Sequence, residues 1–197
     1  MTGLALIRRK SRYVAWMLLP IPLALAGCGD AEPEAVQETA DGAMRTMAPV
    51  EQPSVGIALR RLAEFTKLRR ALAATGVAPR LTAREPLTLL APRDNAIVQL
   101  GPEGQAALFD PANLAALTAQ LRNMIIARSV RAEELKTLID EGGGTARLAS
   151  ISGATISFTR EGDQLVATWP NGARATMGTQ EVSTGNGVFY VIDHWPG

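Results

Sequence analysis

The sequence predicts an α+β domain, and three observations carry that expectation. The first half of the globular part repeats its apolar residues by threes and fours, the second half alternates with a period near two, and the switch falls at Gly142-Gly143-Gly144. Near the C-terminus, Gly185-Asn186-Gly187 is followed by Val188-Phe189-Tyr190-Val191-Ile192-Asp193, a tight turn releasing a strand so apolar that it needs cover on both faces. Helices first and strands afterwards predict an antiparallel sheet system covered by helices from the N-terminal half.

The helical half opens with Leu59, Leu62, Phe65, Leu68 and Leu72 on one stripe, stopped by Gly76 as the residue after the helix. Arg60, Arg61, Lys67, Arg69 and Arg70 decorate the other side, the pattern of a solvated face. Leu87 to Ala91 is a short buried strand ended by Pro92 and the polar turn Arg93-Asp94, and Ala96, Ile97 and Leu100 form a short helix onto the core. Asp110 caps a further helix with Pro111 at its first position and Leu114, Leu117, Leu121 and Met124 as its stripe. A short helix spans about Ala132 to Ile139. The strands expected after the glycines are Thr145 to Leu148, Ala154 to Phe158, Leu165 to Thr168, Ala173 to Met177, Glu181 to Ser183 and Val188 to Asp193.

Ahead of this domain lie two segments of different character. Arg8, Arg9, Lys10 and Arg12 precede an apolar run, Tyr13 to Gly27, interrupted by Pro20 and Pro22, which has the form of an export signal and is too broken for a spanning helix. Its exit, Leu25-Ala26-Gly27-Cys28, resembles the bacterial lipobox, so residues 1–27 are expected to be a lipoprotein signal peptide and Cys28 the lipidation site. Acyl chains contribute about 0.8 kcal/mol per buried methylene, and two or three of them anchor a protein stably. Gly29 after the cysteine points to an outer-membrane address in a bacterial cell envelope. Residues 28–54 contain Asp30, Glu32, Glu34, Glu38, Asp41 and Glu51 among Ala, Pro and Gln, without an aromatic, which is the composition of a flexible tether. The domain is expected over residues 55–197.

Composition excludes several function classes. Twenty basic against nineteen acidic side chains, net +1, leave no electrostatic footprint for nucleic acid. With one cysteine and one histidine, His194, neither an intramolecular disulfide nor a conventional zinc site can be assembled, and no cofactor motif is present. No nucleophile elbow accompanies Ser150, Ser152, Ser157 or Ser183, and Asp140 and Glu141 are sequence neighbours that cannot face each other on a helix. Gly142 to Gly144 lacks the Lys-Ser/Thr of a phosphate-binding loop. Asn186 is explained by the tight turn it occupies. Trp169-Pro170-Asn171-Gly172 places an indole at a hairpin tip, where it either contacts a sugar or protein or packs back onto the sheet.

Three stretches resemble the fasciclin (FAS1) domain. Phe65-Thr66-Lys67-Leu68 through Ala74-Thr75-Gly76 is similar to the family's first long helix, and Leu87 to Ile97 to its Thr-Val-Phe-Ala-Pro-Thr-Asx-x-Ala-Phe segment. Asn186-Gly187-Val188-Phe189-Tyr190-Val191-Ile192-Asp193 resembles its Asn-Gly-Val-Ile-His-Val-Ile-Asp segment, with Asn186, Gly187 and Asp193 as the structural positions. The resemblance covers about residues 58–197 and implies a wedge of two small β-sheets with helices at one side. Asn123-Met124 stands where the family often has Tyr-His, and Glu181-Val182 where it has Asp-Ile, so the integrin adhesion linked to those positions in animal members does not carry over. Tyr190 replaces the family's strand histidine and is expected to substitute aromatic packing for a hydrogen bond.

The resemblance implies a non-catalytic binding or adhesion module, tethered to the membrane through lipid on Cys28, that contacts glycan or another envelope protein. The alternative is a structural periplasmic lipoprotein scaffolding an envelope complex. Trp169, Asn171, Asn123 and Met124 are the candidate binding residues. Exposure of Trp169 favours recognition, and its burial favours scaffolding.

Overall fold

The computed structural model describes residues 52–197. Cys28, the signal segment and nearly all of the expected tether lie outside them. Among the described residues no helix is long and apolar enough to cross a membrane.

The expected first helix is two. Helix α1 (Val55–Arg61) ends where Leu62 turns extended, a 3-10 turn follows at Ala63–Phe65, and α2 runs Thr66–Ala74. The new start is stabilised from a distance: the Asp94 carboxylate accepts the N–H groups of Thr66 at 3.1 Å and Lys67 at 2.7 Å, taking up two donors that the first turn of a helix leaves free. The apolar stripe survives the break, with Leu59, Phe65, Leu68 and Leu72 all buried. Gly76 ends α2 at φ +68°, the left-handed geometry expected of it.

The short helix α3 (Asp94–Val98) is followed by a second, α4 (Gly101–Leu108), which the sequence pattern does not announce. Asp110 caps a 3-10 turn at Pro111–Asn113 through a 2.8 Å bond from Ala112 N–H, and α5 (Leu114–Asn123) continues from it. Leu117, Leu121 and Met124 are buried, whereas Leu114 stays 40% exposed and is not part of the stripe. Helix α6 spans Ala132–Glu141.

The strands are β1 (Leu87–Pro92), β2 (Ile125–Ile126), β3 (Thr145–Ala149), β4 (Thr155–Glu161), β5 (Gln164–Thr168), β6 (Arg174–Thr184) and β7 (Gly187–Ile192). They hydrogen-bond in the order β2-β1-β7-β6-β5-β4-β3. The segments expected at Ala173 to Met177 and Glu181 to Ser183 are one long strand, β6, which links the two halves of the wedge. Its first residues, Arg174 to Met177, pair with β5, and its last, Glu181 to Thr184, pair with β7. Between Met177 and Glu181 the register shifts, so that three residues of β6 oppose Val191 alone. All neighbours are antiparallel except β1 and β7, which run parallel from Leu87↔Gly187 to Pro92↔Ile192, a departure from the wholly antiparallel expectation. This pairing places the last strand at the centre.

That centre needs cover on both faces, and it has it. All six residues of β1 are buried, as are Val188, Phe189, Tyr190 and Ile192 of β7. Phe65 from the helical half meets Phe189 edge-to-face, centroids 5.9 Å apart. One continuous core runs from Val55 to Trp195.

Candidate functional site

The hairpin indole does not face solvent. Trp169 is 3% exposed, and its Nε1–H donates to the backbone carbonyl of Asn123 at 3.3 Å. The expected sugar-contacting aromatic is a core residue, because the turn closed by Trp169 N–H to Ala173 O (2.9 Å) and Gly172 N–H to Trp169 O (2.9 Å) leaves its ring lying back against the end of α5. Met124 is fully buried beside it. Asn123 is half-buried and accepts a hydrogen bond from Ser152 Oγ, and Asn171 donates to Pro196 O at 3.1 Å while accepting from Ala173 N–H at 3.0 Å. Three of the four candidates therefore meet around one hairpin, and their polar groups are engaged in holding that hairpin and the C-terminal tail.

The family-like segment at residues 186–193 is the structural keystone, and its side chains do more than the turn requires. Asn186 is buried; its Oδ1 accepts from Val55 N–H at 2.8 Å, and its Nδ2 donates to Leu81 O at 3.1 Å and Ala83 O at 2.6 Å. One carboxamide thus caps α1, whose preceding Ser54 gives no side-chain cap, and fixes the loop before β1. Gly187 sits at φ +153°, with the position a Cβ would take only 1.9 Å from Leu87 O, so the parallel pairing tolerates no side chain there. Tyr190 corrects the expectation of packing without hydrogen bonding: its buried hydroxyl lies 2.8 Å from Val130 O and 3.1 Å from Glu181 Oε2. Burial, then the neighbouring Glu181 charge and hydrogen bond, push its pKa far above the usual phenol range. Glu181 also accepts the Ala132 N–H at the start of α6, so the position that departs from the family's Asp-Ile ties sheet to helix.

Asp193 closes the segment. Its carboxylate accepts Thr176 N–H at 2.7 Å and lies 2.9 Å from His194 Nδ1. Partial burial works to raise its pKa, but the hydrogen bonds from His194 and Thr176 outweigh it and hold the group below the usual carboxylate value. His194 is an exposed partner of this carboxylate. Among the described residues no group of three or more His, Cys, Asp or Glu gathers as metal ligands would.

One of several open grooves lies where β6 changes partner. The register shift beside Val191 leaves a groove of about 340 Å³ between the β6–β7 pair and α3. Ala96, Met177 and Ile192, all buried, form its floor, and Asn95, Gln99 and Gln164, all exposed, stand on its rim. Arg93 and Asp193 flank it, the former held by Glu64 at 3.1 Å. Sequence reasoning missed this site; its one signal was Gly178 within a strand otherwise rich in β-branched residues, the mark of a bulge.

The described residues thus form a long mixed sheet packed against helices, with a polar-rimmed groove where β6 changes partner. The chain belongs to the fasciclin domain family, whose model matches residues 63–195. Fasciclin domains are typically non-enzymatic adhesion modules. Among solved structures it is similar to a FAS1 domain pair from the insect cell adhesion molecule fasciclin I, with a TM-score of 0.57 and 17% identity over 74% of this chain and 51% of that one. The chain thus spans about half the length of that solved chain, and at this identity the likeness is one of fold. No curated protein matches the sequence.

Proposed function

We propose that the protein is a lipid-anchored, non-catalytic adhesion module of a bacterial cell envelope, held at the outer membrane through acyl chains on Cys28 and contacting glycan or another envelope protein. Its membership of the fasciclin family over residues 63–195 carries this reading. The lipobox-like exit before Cys28 and the acidic, Pro-rich segment that follows support the anchor and its tether. Because Trp169 is buried, its indole does not favour the hairpin tip as the contact surface, and we take the groove beside Val191 instead.

That same burial favours a second reading, a periplasmic lipoprotein that scaffolds an envelope complex without recognising glycan. Titrating the purified full-length protein against intact cells and isolated envelope polysaccharide separates the two. Saturable binding to either supports the adhesion module; binding to neither, with capture of a defined envelope protein, supports the scaffold. Mass spectrometry of Cys28 tests the anchor separately: an unmodified cysteine in protein purified from its own membrane sinks it.

A further inference from the structure

We infer that the groove beside Val191 binds a neutral pyranose chain carrying acetamido groups, an N-acetylated hexosamine oligosaccharide. The inference deepens the adhesion reading and rests on it for the expectation that the groove has a ligand at all. A pyranose presents a C–H face and a hydroxylated edge, and the groove is built with the matching division. Ala96, Met177 and Ile192 supply an apolar floor, while the carboxamides of Asn95, Gln99 and Gln164 rise around it. Among the described residues no side chain or backbone group holds those three carboxamides by a hydrogen bond, in contrast to Asn171 and Asn186, whose amides are committed.

The chemistry of the rim selects the ligand class. A carboxamide both donates and accepts, so it can close a reciprocal pair of hydrogen bonds with an acetamido group, which offers one N–H and one C=O. The two charges at the rim each have a partner, Arg93 in Glu64 and Asp193 in Thr176 N–H and His194, so neither stands alone to favour an ionic ligand over a neutral one. The volume of about 340 Å³ lies at the small end of ligand sites, room for about two sugar rings. The register shift lies along the groove, and Gly178 lines it without a side chain.

The test uses residues 47–197, a compact unit that holds every described element and the whole described core. The ¹⁵N-labelled protein is titrated with tetra-N-acetylchitotetraose and, in parallel, with cellotetraose, which has the same backbone without acetamido groups. The expected result is saturable movement of the side-chain amide signals of Asn95, Gln99 and Gln164 and of the Gly178 backbone, with the Trp169 indole unmoved. Cellotetraose, and the Asn95→Ala/Gln99→Ala variant titrated with chitotetraose, should each bind about tenfold or more weakly, the loss of two net hydrogen bonds. No saturable shift, shifts that map away from the groove, or equal binding of the two sugars overturns the inference. The readouts are independent of the adhesion reading. Binding of the full-length protein to envelope polysaccharide, with no chitotetraose response, removes the ligand class alone; a chitotetraose response in a protein that binds neither cells nor envelope polysaccharide removes the adhesion reading alone.

Discussion

Strands β6 and β7 run side by side, yet their two ends do opposite work. At the end where Thr184 pairs with Gly187 and Ser183 with Val188, the ladder is unbroken, and Asn186 is bonded to both α1 and the loop before β1. At the other end the ladder lapses at Val191, beside a groove lined by Asn95, Gln99 and Gln164. The same strand pair therefore closes the core and opens the surface, and the boundary between the roles is a shift of register rather than a change of element. Close packing fixes one end; missing backbone pairs leave a groove at the other.

Substitutions at the two ends break or sharpen this contrast. Gly187→Ala should cost the most, about 4 kcal/mol in urea melts, since its Cβ would collide with Leu87 O in the parallel ladder. A loss below about 1 kcal/mol would show that the β1–β7 pairing yields, contrary to its burial. Asn186→Ala comes next, about 3 kcal/mol by the same measurement, because Val55 N–H, Leu81 O and Ala83 O are left without their partner.

At the groove end the effects shrink. Asp193 has a folded-state pKa below its ordinary 3.8, so its contribution is fully present above about that pH and is lost as the pH falls through the lowered value. Its side chain is 46% exposed, so solvent screens the gain. Asp193→Asn should lower stability by less than about 1 kcal/mol at pH 7, with the difference from wild type shrinking toward pH 3 in thermal melts. A difference that grows on acidification would reverse the sign of the linkage. Gly178→Ala should be nearly silent, below about 0.5 kcal/mol, since its Cβ would meet Val191 O at an ordinary 3.4 Å.

Much of the fold was legible because local pattern and tertiary role agree. The stripe around Leu68 and Leu72, the Gly76 stop, the Asp110 cap and the apolar run after Gly187 each announce an element whose burial the structure bears out. What stayed hidden depends on partners far along the chain. Asn186 reads as a turn residue until Val55, 131 positions away, is placed against its carbonyl oxygen, and the break after Leu62 follows from Asp94 capturing the N–H groups of Thr66 and Lys67. Strand β2 is two residues long and merges with the helical stripe ending at Met124. Trp169 misled because an indole beside Pro-Asn-Gly fits either an exposed tip or one folded inward, and only the position of α5 decides. The groove was invisible for the same reason: Asn95, Gln99 and Gln164 are unremarkable surface amides until a slipped register sets them around one space.

The parallel pairing of β1 with β7 also sets a clock. Leu87 waits one hundred residues for Gly187, and Val55 longer still for its cap, so a chain growing from the ribosome holds β1 and the start of α1 unfinished until residues 186–192 emerge. Contacts of such sequence separation close slowly, and no shorter piece ending before residue 187 can complete the central ladder. The domain is therefore assembled late and as a whole, its last strand serving as the latch for its first.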